Sequence, residues 1–160
     1  MQISSPAVFA IRSGGKGGED AAVASVQALL HDHADNLVAA FYDTLLKDPE
    51  AKAFLHHSIV QERLSRSLHD WLLDLLNTGE AANDDAFVAR QVKIGEVHAR
   101  IKIPMHLVMA GASVLKTRLA DLLENEANGF RQFRLIDERI DAAIRLMSQS
   151  YVKGTMNRAR

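Results

Sequence analysis

From about residue 20 onward, apolar residues recur at steps of three and four, the spacing of one helix face, rather than at the alternating spacing of a half-buried strand. The pattern predicts an all-α protein. A first helix over Asp20 to Asp32 carries Val23, Val26, Leu29 and Leu30, and a second over Ala34 to Lys47 carries Leu37, Val38, Phe41, Tyr42 and Leu45. Asp48-Pro49 then opens a short helix through Leu55. Ser58 followed by Gln61 has the form of a capping box, and the helix it starts presents Leu64, Leu68, Trp71, Leu72 and Leu75 until Gly79 ends it. Asp84 can cap the next helix, which bears Phe87, Val88, Gln91, Ile94, Val97, His98 and Ile101 before Pro104 forces a break.

Beyond Pro104, to about Ala127, apolar residues cover more than one side, including Met105, Leu107, Val108, Ala112, Leu115 and Leu119. After Gly129 a last helix carries Phe133, Ile136, Ile140, Ala143 and Met147 in alternating steps of three and four, the seam a helix-pairing interface needs. These two stripes predict a homodimer joined through the last two helices. The segment 1–18 holds Gly14, Gly15, Gly17 and Gly18 without periodicity and is expected to be a flexible leader to a single domain over 19–160.

Composition narrows the function. The 160 residues suffice for one hydrophobic core, and a net charge of −1 with interspersed signs argues against nucleic acid as a partner. Without cysteine there can be no disulfide, iron–sulfur cluster, thiolate ligation or covalently attached haem. No apolar run approaches the ~20 residues that span a bilayer, and the N-terminus lacks the pattern of a signal peptide, so a cytoplasmic location and no membrane partner are expected.

Seven histidines invite a metal reading, and spacing discriminates among them. His31 and His33 diverge on a helix, as do the adjacent His56 and His57, and no H-E-x-x-H or repeated Glu-x-x-His pattern exists. His98 differs: it lies in the last turns of its helix with Ile94 at i−4 and Ile101 at i+3, and Gly95 at i−3 would let a flat group approach. Spacing alone favours a core histidine bonded to a backbone carbonyl, and only the surrounding sequence context favours a ligand role. Tyr42, beside Phe41, would donate a hydrogen bond if it faced an apolar cavity, and Ser67 could be a second donor or could bond its own i−4 carbonyl. No G-x-S-x-G, phosphate loop or acid pair marks a catalytic set, so no enzyme activity is expected of this chain.

Three blocks in order, Phe41-Tyr42-Asp43-Thr44-Leu45-Leu46, Arg63 to Trp71, and Ile94-Gly95-Glu96-Val97-His98-Ala99-Arg100-Ile101 with Ile103-Pro104, resemble the sensor domain of globin-coupled sensors, especially those attached to bacterial diguanylate cyclases. The resemblance spans residues 20 to 155 and implies a globin fold with an extra N-terminal helix and no D helix, binding b-type haem. It implies His98 as the iron ligand, Tyr42 as the donor to bound O2 (with CO and NO as other ligands), and Leu64 and Ser67 as distal residues. Phe41, Leu68, Ile94, Ile101, Met105 and Val108 are expected to complete the cofactor pocket. No output module follows within the chain, so the resemblance implies an excised or stand-alone sensor. Two other readings use the same residues: a haem-free helical dimerisation module relaying a partner's signal, and a free-standing oxygen-binding globin.

Overall fold

The computed structural model describes the backbone of residues 5–76 and 81–159, and side chains within 21–76 and 81–156. Among the described residues six helices follow one another: α1 (Ser5–Leu45), α2 (Pro49–Leu55), α3 (Ser58–Asp74), α4 (Asp85–Arg100), α5 (Met105–Leu123) and α6 (Gly129–Ala159). No strand occurs among the described residues.

Helix α1 corrects two expectations. The predicted break near residue 33 is absent because Ala34, 1% exposed, continues the stripe from Val26 and Leu30 to Leu37. A pattern read from large side chains alone leaves a gap there. The glycine run in the expected leader is also helical from Ser5 onward. Glycine weakens a helix by about 1 kcal/mol per residue but does not block it as proline does, and no proline lies between Pro6 and Pro49.

Asp48 caps α2, its Oδ1 accepting from the Glu50 amide at 2.9 Å, with Pro49 in the first turn as expected. The expected capping box at Ser58 does not form. His57 is the N-cap of α3, and Gln61 Nε2 instead donates to the Leu55 carbonyl at 2.6 Å, tying α2 to α3. Gly79, the expected stop, lies outside the described residues; α3 ends at Asp74. Asp84 is the N-cap of α4, and its Oδ2 accepts from the Ala81 amide at 2.8 Å, closing the turn before the helix.

Helix α4 stops before Pro104 can act. Lys102 takes φ 61°, its amide donates to the Ala99 carbonyl at 3.2 Å, and the Ile103 amide donates to the His98 carbonyl at 3.0 Å. Those two bonds are a Schellman motif, with lysine in the left-handed position glycine usually fills. Pro104 then serves as the N-cap of α5.

Helix α4 packs chiefly on α6, while α5 packs on both α6 and α1, and α3 packs on α1. Gly95 decides how close α4 comes to α6. A Cβ there would overlap Ser150 Oγ and the Met147 backbone, and Ser150 Oγ donates to the Val92 carbonyl at 2.9 Å. One turn on, the position a Cβ of Gly154 would occupy is 3.1 Å from Ala99 Cβ. The expectation that Gly95 makes room for a flat ligand is therefore corrected: its bare face is spent on a neighbouring helix.

The presumed pairing seam is corrected as well. Ile136 and Ile140 are 0% exposed, Met147 3%, Leu115 2% and Leu119 0% within a single chain. A regular apolar stripe reports that a helix face is buried, and here α1, α4 and α5 bury it without a second subunit.

Candidate functional site

Between α1 and α3 on one side and α4 to α6 on the other lies a cavity with ≈ 960 Å³ of space, counted out to its solvent-facing mouth. Its walls are built from helix positions three or four apart. Tyr42 and Leu45 come from α1 with Phe41; Leu64, Ser67, Leu68 and Trp71 come from α3. Helix α4 gives Ile94 and His98, one turn apart on one face, and α5 gives Leu107, Val108, Ala112 and Leu115. Ala51, Phe54 and Leu55 of α2 close one end, and Ile144 and Met147 of α6 line the deep wall.

Almost everything facing this space is hydrocarbon, so the few polar groups define its chemistry. Among the lining side chains only Tyr42, Ser67, Trp71 and His98 carry polar atoms. The Trp71 indole donates to Gln91 Oε1 at 2.9 Å, a bond that joins α3 to α4 and satisfies a glutamine that is 2% exposed. Ser67 is exposed and stands at the mouth. Tyr42 hydroxyl and His98 Nδ1 remain, both buried and without a hydrogen bond of normal geometry, with the Ser65 side chain close to the Tyr42 hydroxyl.

Native proteins rarely leave buried donors unmade, because each costs about 1 to 3 kcal/mol. Two such groups in one apolar cavity point to a ligand that completes them. Burial pushes the Tyr42 phenol above its usual value, an effect the Ser65 side chain opposes only in part, so the hydroxyl stays protonated and able to donate. Burial pushes the His98 imidazole below 6.5, which keeps the ring neutral, the form that ligates a metal. The Schellman turn pins the His98 carbonyl, fixing the backbone from which the imidazole projects.

Of the residues singled out from the sequence, His98, Tyr42, Phe41, Leu64, Ser67, Leu68, Ile94 and Val108 line the cavity. Ile101 and Met105 do not. Ile101 is the C-cap residue of α4 and is 49% exposed. The chain reverses at Lys102, so Ile103 takes the lining position that helical spacing assigned to Ile101. Met147 escaped notice as lining because its spacing reads as a pairing seam, Ile144 because it lies off that stripe, and Phe54 because its helix is too short to show a face. His31, His33, His56, His57, His69 and His106 stand outside the cavity lining. Among the described residues no cluster of three or more histidine or acidic side chains could hold a metal ion by itself.

The Protoglobin family profile matches residues 18–155. The diguanylate cyclase DosC of Escherichia coli K12 is 28% identical over 123 residues, covering 74% of this chain and 26% of DosC. DosC of Shigella flexneri is also 28% identical, with 32% of its length covered, so the chain spans about a third or less of these curated relatives. Among solved structures, the ferrous globin domain of E. coli DosC superposes with a TM-score of 0.74 at 26% identity, covering 80% of this chain and 88% of that one. The globin domain of a Geobacter sulfurreducens globin-coupled sensor gives a TM-score of 0.72 at 25% identity over 94% of this chain and 99% of that one.

Proposed function

The chain belongs to the Protoglobin family, and from this membership and the cavity we propose that it is the haem-binding sensor domain of a globin-coupled sensor, responding to O2. The carrying observation is the pair of buried, unpartnered polar groups, Tyr42 hydroxyl and His98 Nδ1, in an otherwise apolar cavity. An apolar slot with one neutral imidazole can hold b-type haem without cysteine, and the protonated phenol adds a hydrogen-bond donor for a ligand, so the residues fit the group. When bound, ferrous haem supplies a metal centre that takes up diatomic gases reversibly.

His98 would hold the iron through its imidazole, from a helix whose end is locked at Lys102 and Ile103. Leu64, Leu68, Ile94 and Val108 would keep water out of the cavity. The Tyr42 hydroxyl would donate a hydrogen bond to a polar diatomic ligand, which would favour O2 over the less polar CO. Helix α4 carries His98 against α6 through Gly95, Ala99, Ser150 and Gly154, which gives a strain at His98 a rigid path into the last helix.

In the parent protein the signal passes to an output module, a diguanylate cyclase by analogy with DosC. We take the globin unit proper to begin near residue 19, a start supported by a family match that runs from residue 18. Homodimerisation would use the outward faces of α5 and α6, where Met109, Phe130, Val152 and Met156 are exposed, since the inner stripe is already filled. A cytoplasmic location belongs to the same reading; among the described residues no helix is long and apolar enough to cross a membrane.

The test is an absorption spectrum of the purified protein reconstituted with haem and reduced. A Soret band that shifts separately under O2 and CO supports the sensor reading, and failure to form a Soret band at stoichiometric haem contradicts it.

A further inference from the structure

Gly111 is buried in the middle of α5, where glycine costs helix stability relative to alanine. Its neighbours on the helix, Val108, Ala112 and Leu115, line the cavity, but Gly111 does not. Phe41 lies over it. A Cβ at position 111 would overlap the edge of the Phe41 ring at Cε2 and would sit 2.9 Å from Cζ and 3.3 Å from Cδ2.

The nearest obstacles are all atoms of that one ring. This distinguishes Gly111 from Gly95, whose absent Cβ would strike the backbone of α6. An added methyl at 95 must push helices apart, whereas at 111 it need only move a side chain. Phe41 lines the cavity and Gly111 beneath it does not, so a ring pushed off Gly111 can yield toward the cavity. The Phe41 ring also meets the Tyr42 ring edge to face, at 5.3 Å between centroids and 79° between planes. A displacement of the Phe41 ring is therefore felt at Tyr42.

We infer that Gly111 is a positioning residue that sets ligand-size selectivity, by letting the Phe41 ring withdraw against α5 and leave room beside Tyr42. The inference rests on the haem-sensor reading. Stability alone does not explain glycine here, because alanine would strengthen the helix and the ring could step aside; what alanine would change is the volume open to a ligand.

The experiment compares CO with n-butyl isocyanide as ligands of the ferrous, haem-loaded protein. Gly111→Ala should lower isocyanide affinity relative to CO by roughly ten-fold or more, the discrimination that about one methylene of lost space produces. Shortening the ring in Gly111→Ala/Phe41→Leu should return the ratio to within about three-fold of Phe41→Leu alone, as expected when both changes act on one space. In the diamagnetic CO form, a nuclear Overhauser effect should join the Gly111 Hα protons to the Phe41 ring. An unchanged ratio in Gly111→Ala at full haem content, a loss that Phe41→Leu does not relieve, or a missing Overhauser effect overturns the inference. If Gly111→Ala does not retain haem, retention in the double variant supports it and failure there overturns it. Failure of the unsubstituted protein to bind haem would instead overturn the sensor reading itself.

Discussion

The Ile103 amide donates to the His98 carbonyl at 3.0 Å, so the residue proposed to hold the iron is tied by its own backbone to the turn that ends its helix. The same turn swings Ile103 into the cavity and leaves Ile101 outside it.

Lys102 holds that turn at φ 61°. A non-glycine residue there carries a steric penalty of about 1 to 2 kcal/mol that glycine avoids, offset in part by the greater freedom of glycine in the unfolded chain. Lys102→Gly should raise stability by up to about 1 kcal/mol, a rise in Tm of roughly 2 to 4 °C for a domain of this size. Lys102→Val should lower it. Thermal unfolding followed by circular dichroism checks both, and the opposite order would mean the turn is not maintained in solution.

At the α4–α6 contact, Gly95→Val places branched carbon where Ser150 Oγ and the Met147 backbone already lie. The helices must separate, and overpacking of this kind costs about 3 kcal/mol or more. A fall in the urea midpoint with an unchanged m-value is the expected result. Ser150→Ala, which removes the hydroxyl's bonds to the Val92 and Met147 carbonyls without adding bulk, should cost about 1 kcal/mol.

Acid should weaken the haem-free protein partly through His98. Burial lowers its folded-state pKa below 6.5, so as pH falls through that value the unfolded chain takes up a proton the folded chain refuses. The stability contributed by the neutral ring is complete above pH 6.5, declines below it, and levels off once the folded-state pKa is passed. Urea unfolding at a series of pH values should show a shallower acid decline in His98→Leu than in the unsubstituted protein; equal slopes would mean the ring is solvated.

In the proposed sensor, Tyr42 carries the ligand preference. In Tyr42→Phe the donor is lost while the ring remains, and a hydrogen bond worth about 1 to 3 kcal/mol corresponds to a ten-fold or greater acceleration of O2 dissociation. Dissociation of CO should change far less. Stopped-flow measurement of both rates is the check: equal changes would indicate altered access, and no change would remove Tyr42 from the site.

Much of this was legible in the sequence because helix spacing is a local property. Leu64 and Leu68, or Ile94 and His98, share a face by spacing alone, and the cavity they line follows once the helices pack. What remained hidden depends on partners distant in sequence. Gly95 reads as open space until α6 is seen against it, and nothing marks Gly111 until Phe41 is seen over it. The Ile136, Ile140 and Met147 stripe states that a face is buried without stating by what. Ile103 could be recognised as lining only through the left-handed turn at Lys102, for which lysine gives no signal.

The central claim is that His98 holds haem in this cavity, and titration of the purified, haem-free protein with haem tests it most directly. The account predicts saturation at one haem per chain with a five-coordinate ferrous spectrum, and loss or severe weakening of binding in His98→Ala. Stoichiometric haem with an unchanged five-coordinate ferrous spectrum in His98→Ala would contradict it.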